Sequence, residues 1–377
     1  MNLLELLQHP YLEWFIAFGV VVLIQLLFYW LVFSRVAFAH IIRIEAESYP
    51  PVSVVISARD EYKNLKAFLP SVLTQNYPDF EVVVVNHLSE DDSQYLLRDF
   101  QRQYSHLKVV TLNKNANFFH GKKFPLSIGI KEAQHEILLL TDADCKPVSS
   151  DWIRSMVSAY GPRTEIVLGY SNFMPSKGFL NLIQRFEAFH TAMLYLSLAK
   201  AGLPYMGIGR NLSYKRSLFF RQKGFISHYT LASGDDDLFI NQAACSGNTS
   251  VNLHPDSFIV TRAKNSWGDW FRQKRRHYTT GSHYRFWHKT VLGLYSSTQF
   301  LFYILFAVLL LIRFPWWAVV SLAGVRFLSQ WLIWGLANKK LKSGRFVVIS
   351  PLLEIIWFII TGWILATKPI VKETQWK

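Results

Sequence analysis

The stretch Glu136-Ile-Leu-Leu-Leu-Thr-Asp-Ala-Asp144 sets a short, unbroken apolar run directly against two carboxylates one residue apart. An apolar run of this length without alternation is the pattern of a strand buried on both faces. Three similar runs precede it, at residues 52–57 (V-S-V-V-I-S), 81–86 (E-V-V-V-V-N) and 108–112. Segments with helical spacing, residues 64–73 and 91–104, lie between them. This succession predicts an α/β fold, with a mostly parallel sheet and helices on both faces. Ligands of such sheets bind beyond the carboxyl ends of the strands, which is where the Asp142–Asp144 pair falls.

Outward from this core the chain turns apolar. It has 377 residues, 51% of them hydrophobic and 16% aromatic, yet 18% are charged. A soluble domain combined with membrane spans accounts for both figures. Residues 14–33 are long enough to cross a bilayer, with Gln25 their one strongly polar member, and no cleavage-site pattern marks them as a signal peptide. Three further spans are expected at residues 291–312, 316–337 and 346–367, the last two carrying Arg326 and Glu354. An interhelical ion pair is the expected role of these two charges. Arg35, Arg43, Arg272, Lys274, Arg275, Arg276, Arg285, Lys289, Lys339, Lys340, Lys342 and Arg345 fall on one side of a four-span chain. Arg313, Lys368, Lys372 and Lys377 dissent. The balance predicts a multi-pass cell-membrane protein with its N-terminus outside and its large domain in the cytoplasm. The expected divisions are an N-terminal anchor (1–43), a cytoplasmic domain (44–261), an amphipathic interfacial segment (262–290) and three C-terminal spans (291–377).

The net charge of +14 does not by itself point to nucleic acid, because the bases cluster beside the spans. Cys145 and Cys245 stand far apart in no metal-binding spacing, so no disulfide framework is indicated and a reducing compartment fits.

Three constellations carry chemistry. Asp142 and Asp144 suit a hard divalent cation, Mg or Mn, that bridges to substrate phosphates and takes up charge on a leaving diphosphate. The alternative for such a pair is a solvated acidic turn. Gly234-Asp-Asp-Asp-Leu238 crowds three carboxylates, which raises pKa values and suits a base that deprotonates a hydroxyl; a helix N-terminus is the competing and compatible reading. Trp267-Gly-Asp-Trp-Phe-Arg-Gln-Lys-Arg-Arg-His277 mixes aromatics and cations before a span. It reads equally as an interfacial helix or as a segment whose Gln273 and Arg276, one turn apart, reach a diphosphate and acceptor. Lys122, after Gly121, is a further candidate for meeting phosphate.

In this order the constellations resemble the family 2 glycosyltransferases, which include membrane-bound polysaccharide synthases and ceramide glucosyltransferases. The resemblance implies a GT-A (Rossmann-like) domain and inverting transfer from a nucleotide sugar, UDP-linked in most of the family, to a lipid-linked or polysaccharide acceptor. It begins at Pro51-Val-Ser-Val-Val-Ile-Ser-Ala-Arg-Asp-Glu61, similar to the family's donor-binding turn, with Ala58 and Glu61 on the nucleoside. It continues through Asn64-Leu65, Gln75-Asn-Tyr-Pro78 and the Lys122 loop. Asp142 and Asp144 match its metal-binding D-x-D, with Asp142 also on the donor. Gly207-Ile-Gly-Arg-Asn-Leu-Ser-Tyr214 resembles its acceptor-side segment. Asp236 falls on its general base, Asp235 precedes it, and Gln273, Arg276 and His277 fall on its Q-x-x-R-W motif. Asn86 stands where the family has an aspartate on the nucleotide base, keeping an acceptor without the charge. His277 stands where the family has tryptophan. The competing class is a non-catalytic nucleotide-binding transport or scaffold protein of the membrane.

Overall fold

The computed structural model describes residues 9–41, 49–112, 121–231 and 233–367. The boundary expected between residues 43 and 44, Arg43 and the tail lysines Lys368, Lys372 and Lys377 lie outside the described residues. Two compact units divide the chain: Met1–Ala39 with Arg285–Trp363, and His40–Tyr284 with Ile364–Lys377. The first unit opens with helix α1 (Leu12–Ala37).

The second unit alternates strand and helix: β1 (Val52–Ala58), α2 (Tyr62–Leu73), β2 (Phe80–His87), α3 (Ser93–Gln103), β3 (Leu107–Leu112), α4 (Lys123–Glu132) and β4 (Ile137–Asp142). Shorter elements follow: β5 (Cys145–Pro147), α5 (Trp152–Ser158), β6 (Ile166–Leu168), β7 (Ser171–Phe173), the long α6 (Phe179–Lys200), β8 (Leu212–Lys215) and α7 (Arg216–Arg221). The unit continues with α8 (Asp237–Ala243), β9 (Thr249–Val251), β10 (Ile259–Thr261) and α9 (Trp267–His277). The main sheet has the order β3-β2-β1-β4-β8-β6-β9. β1 to β4 pair in parallel, and β8 runs antiparallel to both β4 and β6. The four expected strands and the mostly parallel sheet are therefore present.

β1 buries every side chain, because helices cover both of its faces. Gly129 of α4 shows how closely: a Cβ there would lie 2.6 Å from Val55 Cγ1 and 3.0 Å from Val85 Cγ2. Pairing of Val52 with Phe80 and with Ile137 sets the register that aligns the carboxyl ends. Ala58 then pairs with Asn86, and Ser57 with Asp142. The chain leaves β1 on one side and returns to β4 on the other, so the switch point lies at Asp142.

A second, three-stranded sheet, β5-β10-β7, follows the acidic pair. The Thr261 hydroxyl at the end of β10 donates to the backbone carbonyl of Asp144 at 3.0 Å and so fixes the turn. Asn211 is a core brace: it accepts from Trp152 Nε1 at 3.1 Å and donates to the carbonyls of Tyr170 and Ser257 at 2.8 and 2.7 Å. The segment expected to face an acceptor thus turns one of its polar side chains inward.

α10 (Phe286–Leu311), α11 (Trp316–Leu341) and all but the last residues of α12 (Ser350–Thr367) belong with α1 to the first unit, and among the described residues these four helices are long and apolar enough to cross a bilayer. α12 starts later than the expected residue 346, since Lys342 (φ 50°) and Gly344 (φ 129°) break the helical path. Within α1, Phe28–Phe33 form a π-helical turn. Gln25 Nε2 donates to Thr298 Oγ1 at 2.8 Å and to the Tyr295 carbonyl at 3.2 Å, while its Oε1 accepts from no partner among the described residues. Arg326 and Glu354 form the expected ion pair at 2.8 Å, both wholly buried. Gln330 Nε2 and the Tyr303 hydroxyl also donate to Glu354, at 2.7 and 2.6 Å. The Arg326 guanidinium sits 4.7 Å from the Phe302 ring centre. Lys340 Nζ donates to the carbonyls of Val36 and Ala37, capping the end of α1.

Arg326→Leu strands a buried carboxylate and is expected to cost about 3–5 kcal/mol, whereas Arg326→Leu with Glu354→Leu recovers most of the loss. Unfolding midpoints of the detergent-solubilised protein measure both.

Candidate functional site

The carboxyl edge of the sheet is built from tied turns. Asp60 after β1 and Leu88 after β2 both hold left-handed backbone, at φ 52° and 53°. Hydrogen bonds stitch these turns together: Asp60 N–H donates to Ser89 Oγ (2.9 Å), Glu90 N–H to Asp60 Oδ1 (2.8 Å) and Tyr62 N–H to Asp91 Oδ2 (2.9 Å). Glu61 is buried at the start of α2, where Asn64 Nδ2 donates to its carboxylate at 2.6 Å. Asn64 in turn accepts from Arg262 at 3.1 Å. Asn86 is buried at the end of β2, and its Oδ1 has no hydrogen-bond partner among the described residues. An orphaned buried acceptor at this edge is suited to a donor N–H of a ligand. Its neighbour His87 is kept neutral by burial and by Arg59.

Asp142 ends β4, Asp144 follows in the turn, and Cys145 opens β5. Lys122, just before α4, places its ammonium against Asp142 and 3.3 Å from Asp235 Oδ2. Burial works against that charge, but Asp142 and Asp235 outweigh it and hold the lysine well above its ordinary pKa. Lys123 has a different task. Its Nζ donates to the carbonyls of Leu231 and Ser233 at 2.5 and 2.6 Å, pinning the loop that leads into the acidic turn.

Gly234 opens that turn at φ 106°. Asp236 then accepts from Gly209 N–H at 2.7 Å and from Asp237 N–H at 2.8 Å, capping α8. Asp236 is thus the N-cap of α8, as the helix-start reading expects. Burial, with Asp235 and Asp237 beside it, pushes the Asp236 carboxyl up to about 7, against the pull of Gly209 and Lys122. Asp235 goes the other way: burial raises it, but Lys122 and Lys123 outweigh burial and keep it low. Asp237 accepts from the hydroxyls of Thr280 and Tyr284, the latter at 2.7 Å.

α9 starts at a Ser266 cap, with Asp269 N–H donating to Ser266 Oγ at 3.1 Å. Trp270 is fully buried, and Lys274 pairs with Glu187 of α6 at 2.5 Å. Gln273 and Arg276 are half-buried and His277 is exposed. Gln273 Oε1 has no hydrogen-bond partner among the described residues. The structure brings Lys122, Asp142, Asp235 and Asp236 together and sets Asp144 beside them. It does not join Gln273, Arg276 or His277 to these acids directly among the described residues; Thr280 and Tyr284 make the tie. Sequence reading missed Lys123, Asp237, Thr280 and Tyr284, and only the run of three aspartates hinted at the third.

The carboxylates of Asp142 and Asp144 and the Cys145 sulfur lie within 4.8 Å of one another. Cys145, next in sequence to Asp144, thus stands beside the pair, although the spacing of the two cysteines has no metal-binding pattern. Burial pushes its thiol well up, so it stays protonated and donates weakly to Asp144 Oδ1 at 3.6 Å. Burial and Asp142 raise the Asp144 carboxyl, against Lys264 and Arg210. Two mutually repelling carboxylates at a strand end fit a hard divalent cation.

Residues 53–219 match the family model described as glycosyl transferase family 2. Glycosyltransferase AglE of Haloferax volcanii is 27% identical over 215 residues, 54% of this chain and 65% of that protein. Poly-beta-1,6-N-acetyl-D-glucosamine synthase of Staphylococcus epidermidis is 26% identical over 149 residues, 39% of this chain and 35% of that protein. The matches thus span less than two thirds of either relative's length. Mannosyltransferase PcManGT from Pyrobaculum calidifontis, solved in complex with GDP-Man and Mn2+, superposes with a TM-score of 0.58 at 19% identity. The match covers 89% of this chain and 98% of that one and establishes a shared fold.

A Cβ on Gly234 would meet Leu238 Cδ1 at 2.6 Å in a backbone region that side chains rarely enter. Gly234→Ala is expected to cost about 1–3 kcal/mol, read as a lowered thermal midpoint.

Proposed function

The chain carries a domain of glycosyl transferase family 2, and from that premise we propose that it is a membrane-bound inverting glycosyltransferase. It moves a sugar from a nucleotide donor, UDP-linked in the first instance, to a lipid-linked or polysaccharide acceptor. The supporting observation is the meeting of the Asp142–Asp144 turn with the Asp235–Asp236 turn across one ammonium, that of Lys122. Ala58, Glu61 and Asn86 receive the nucleoside along the aligned strand ends. A divalent cation, Mg or Mn, bound by Asp142 and Asp144 supplies Lewis-acid stabilisation of the leaving diphosphate. Lys122, Gln273 and Arg276 add donors toward the diphosphate, and His277 borders the acceptor side. Asp236 takes the proton of an acceptor hydroxyl, whose oxygen attacks the anomeric carbon as the bond to the diphosphate breaks on the opposite face. The four apolar helices seat the domain at a bilayer, N-terminus outside and catalytic unit cytoplasmic, within reach of a lipid-borne acceptor.

One observation favours Asp235 as the base instead: it shares Lys122 with Asp142, whereas both Asp236 oxygens accept backbone N–H groups. The pKa favours Asp236, since a base is most effective near the working pH.

Release of nucleoside diphosphate from a panel of UDP- and GDP-sugars, with Mn or Mg and membrane extract, tests the reading. Asp236→Asn is expected to lower kcat by at least about a hundredfold. Loss in Asp235→Asn with activity kept in Asp236→Asn transfers the role to Asp235, and no release from any donor favours a binding protein.

The pH dependence follows from the same carboxyl. A base must be ionised, and this one ionises as pH rises through about 7. kcat/KM is expected to fall about tenfold per pH unit below 7 and to level off above it.

A further inference from the structure

The acidic turn and the α9 region are joined at one side chain. Asp237 is buried, and its Oδ2 receives the Tyr284 hydroxyl at 2.7 Å together with the Thr280 hydroxyl. Its Oδ1 takes Leu238 N–H at 2.8 Å, which fixes the carboxylate on α8. Gly281–His283 form a 3-10 turn, and it delivers both hydroxyls to the same oxygen. Asn241, one turn further along α8, donates to the carbonyl of Tyr205 at 2.7 Å. The Tyr205 ring meets that of Tyr284 edge-on, with centres 5.8 Å apart. One face of α8 therefore gathers three segments: the acidic turn, the residues leading to Gly209, and the chain that leaves Gln273 and Arg276.

We propose that Asp237 is a positioning residue which, through Thr280 and Tyr284, straps the end of the α9 segment to the turn carrying Asp235 and Asp236. The inference rests on the catalytic reading above, in which those two segments contribute the base and the diphosphate donors. Neither Thr280 nor Tyr284 touches the reacting groups. Their effect runs through the spacing between the base and Gln273 and Arg276, a spacing on which displacement chemistry depends steeply. Tyr284 is also the last residue of its unit before the chain crosses to the other, and Arg285 and α10 follow it in sequence.

The test uses the full chain in detergent with Tyr284→Phe, Thr280→Val and Asp237→Asn. Asn keeps one acceptor oxygen and is the conservative variant. Hydrogen exchange is expected to speed up about tenfold in residues 234–240 and 277–284 together, while β1 and β4 are unchanged. In transfer assays Tyr284→Phe lowers kcat about tenfold with donor KM held within about twofold. Tyr284→Phe combined with Asp237→Asn is no worse than the poorer single variant. Additive losses, an effect confined to KM, or loosening of one segment without the other overturns the strap. If the unaltered chain transfers no sugar from any donor, the catalytic reading fails and exchange alone decides: joint loosening supports the strap, separate loosening overturns it.

Discussion

Four carboxylates, of Asp142, Asp235, Asp236 and Asp237, crowd the end of the main sheet where solvent is scarce. Left alone they would repel one another and draw protons from solution. Two adjacent lysines resolve the conflict by dividing the work. Lys122 lends its charge to Asp142 and Asp235, and Lys123 holds the carbonyls of the loop before the turn. Much of the site's geometry follows from that division. With Asp235 kept ionised beside Lys122, the repulsion falls on Asp236, whose carboxyl rises.

The site also shows how a sheet prepares an edge for chemistry. Parallel pairing of β1 with both β2 and β4 leaves no freedom in where Ala58, Asn86 and Asp142 end up, because one register sets all three. The turns beyond the strands hold residues in left-handed backbone and are cross-tied by side chains. Rigidity at the edge therefore comes from backbone strand pairing below and side-chain hydrogen bonds above. The small β5-β10-β7 sheet adds a support behind Asp144.

How legible this was depended on the range of the interaction. β1, β2 and β4 could be read because strands covered on both faces must be continuously apolar. The Asp142–Asp144 pair and the acidic turn could be read because their chemistry is local. The three-residue strands β5, β7 and β10 fall below the length at which any periodicity speaks. Asn211 looked like part of an acceptor segment, yet it is bonded to Trp152, Tyr170 and Ser257, and nothing in its neighbours reveals that. The pairing of Asp237 with Thr280 joins residues 43 positions apart and depends on the whole fold being in place. In the apolar helices the opposite held: Arg326 and Glu354 could be matched from sequence, since hydrocarbon leaves a charge few other options.

That ion pair has a consequence for how the protein is made. α11 carries the cation and α12 the anion, and α12 also receives Gln330 of α11. Neither helix can be released singly into lipid without an unpaired charge near its middle or its first turns. Inserted together as a hairpin, the two helices would meet neither cost, because each charge arrives with its partner. Two side chains thus favour insertion of these helices as a pair over insertion one at a time.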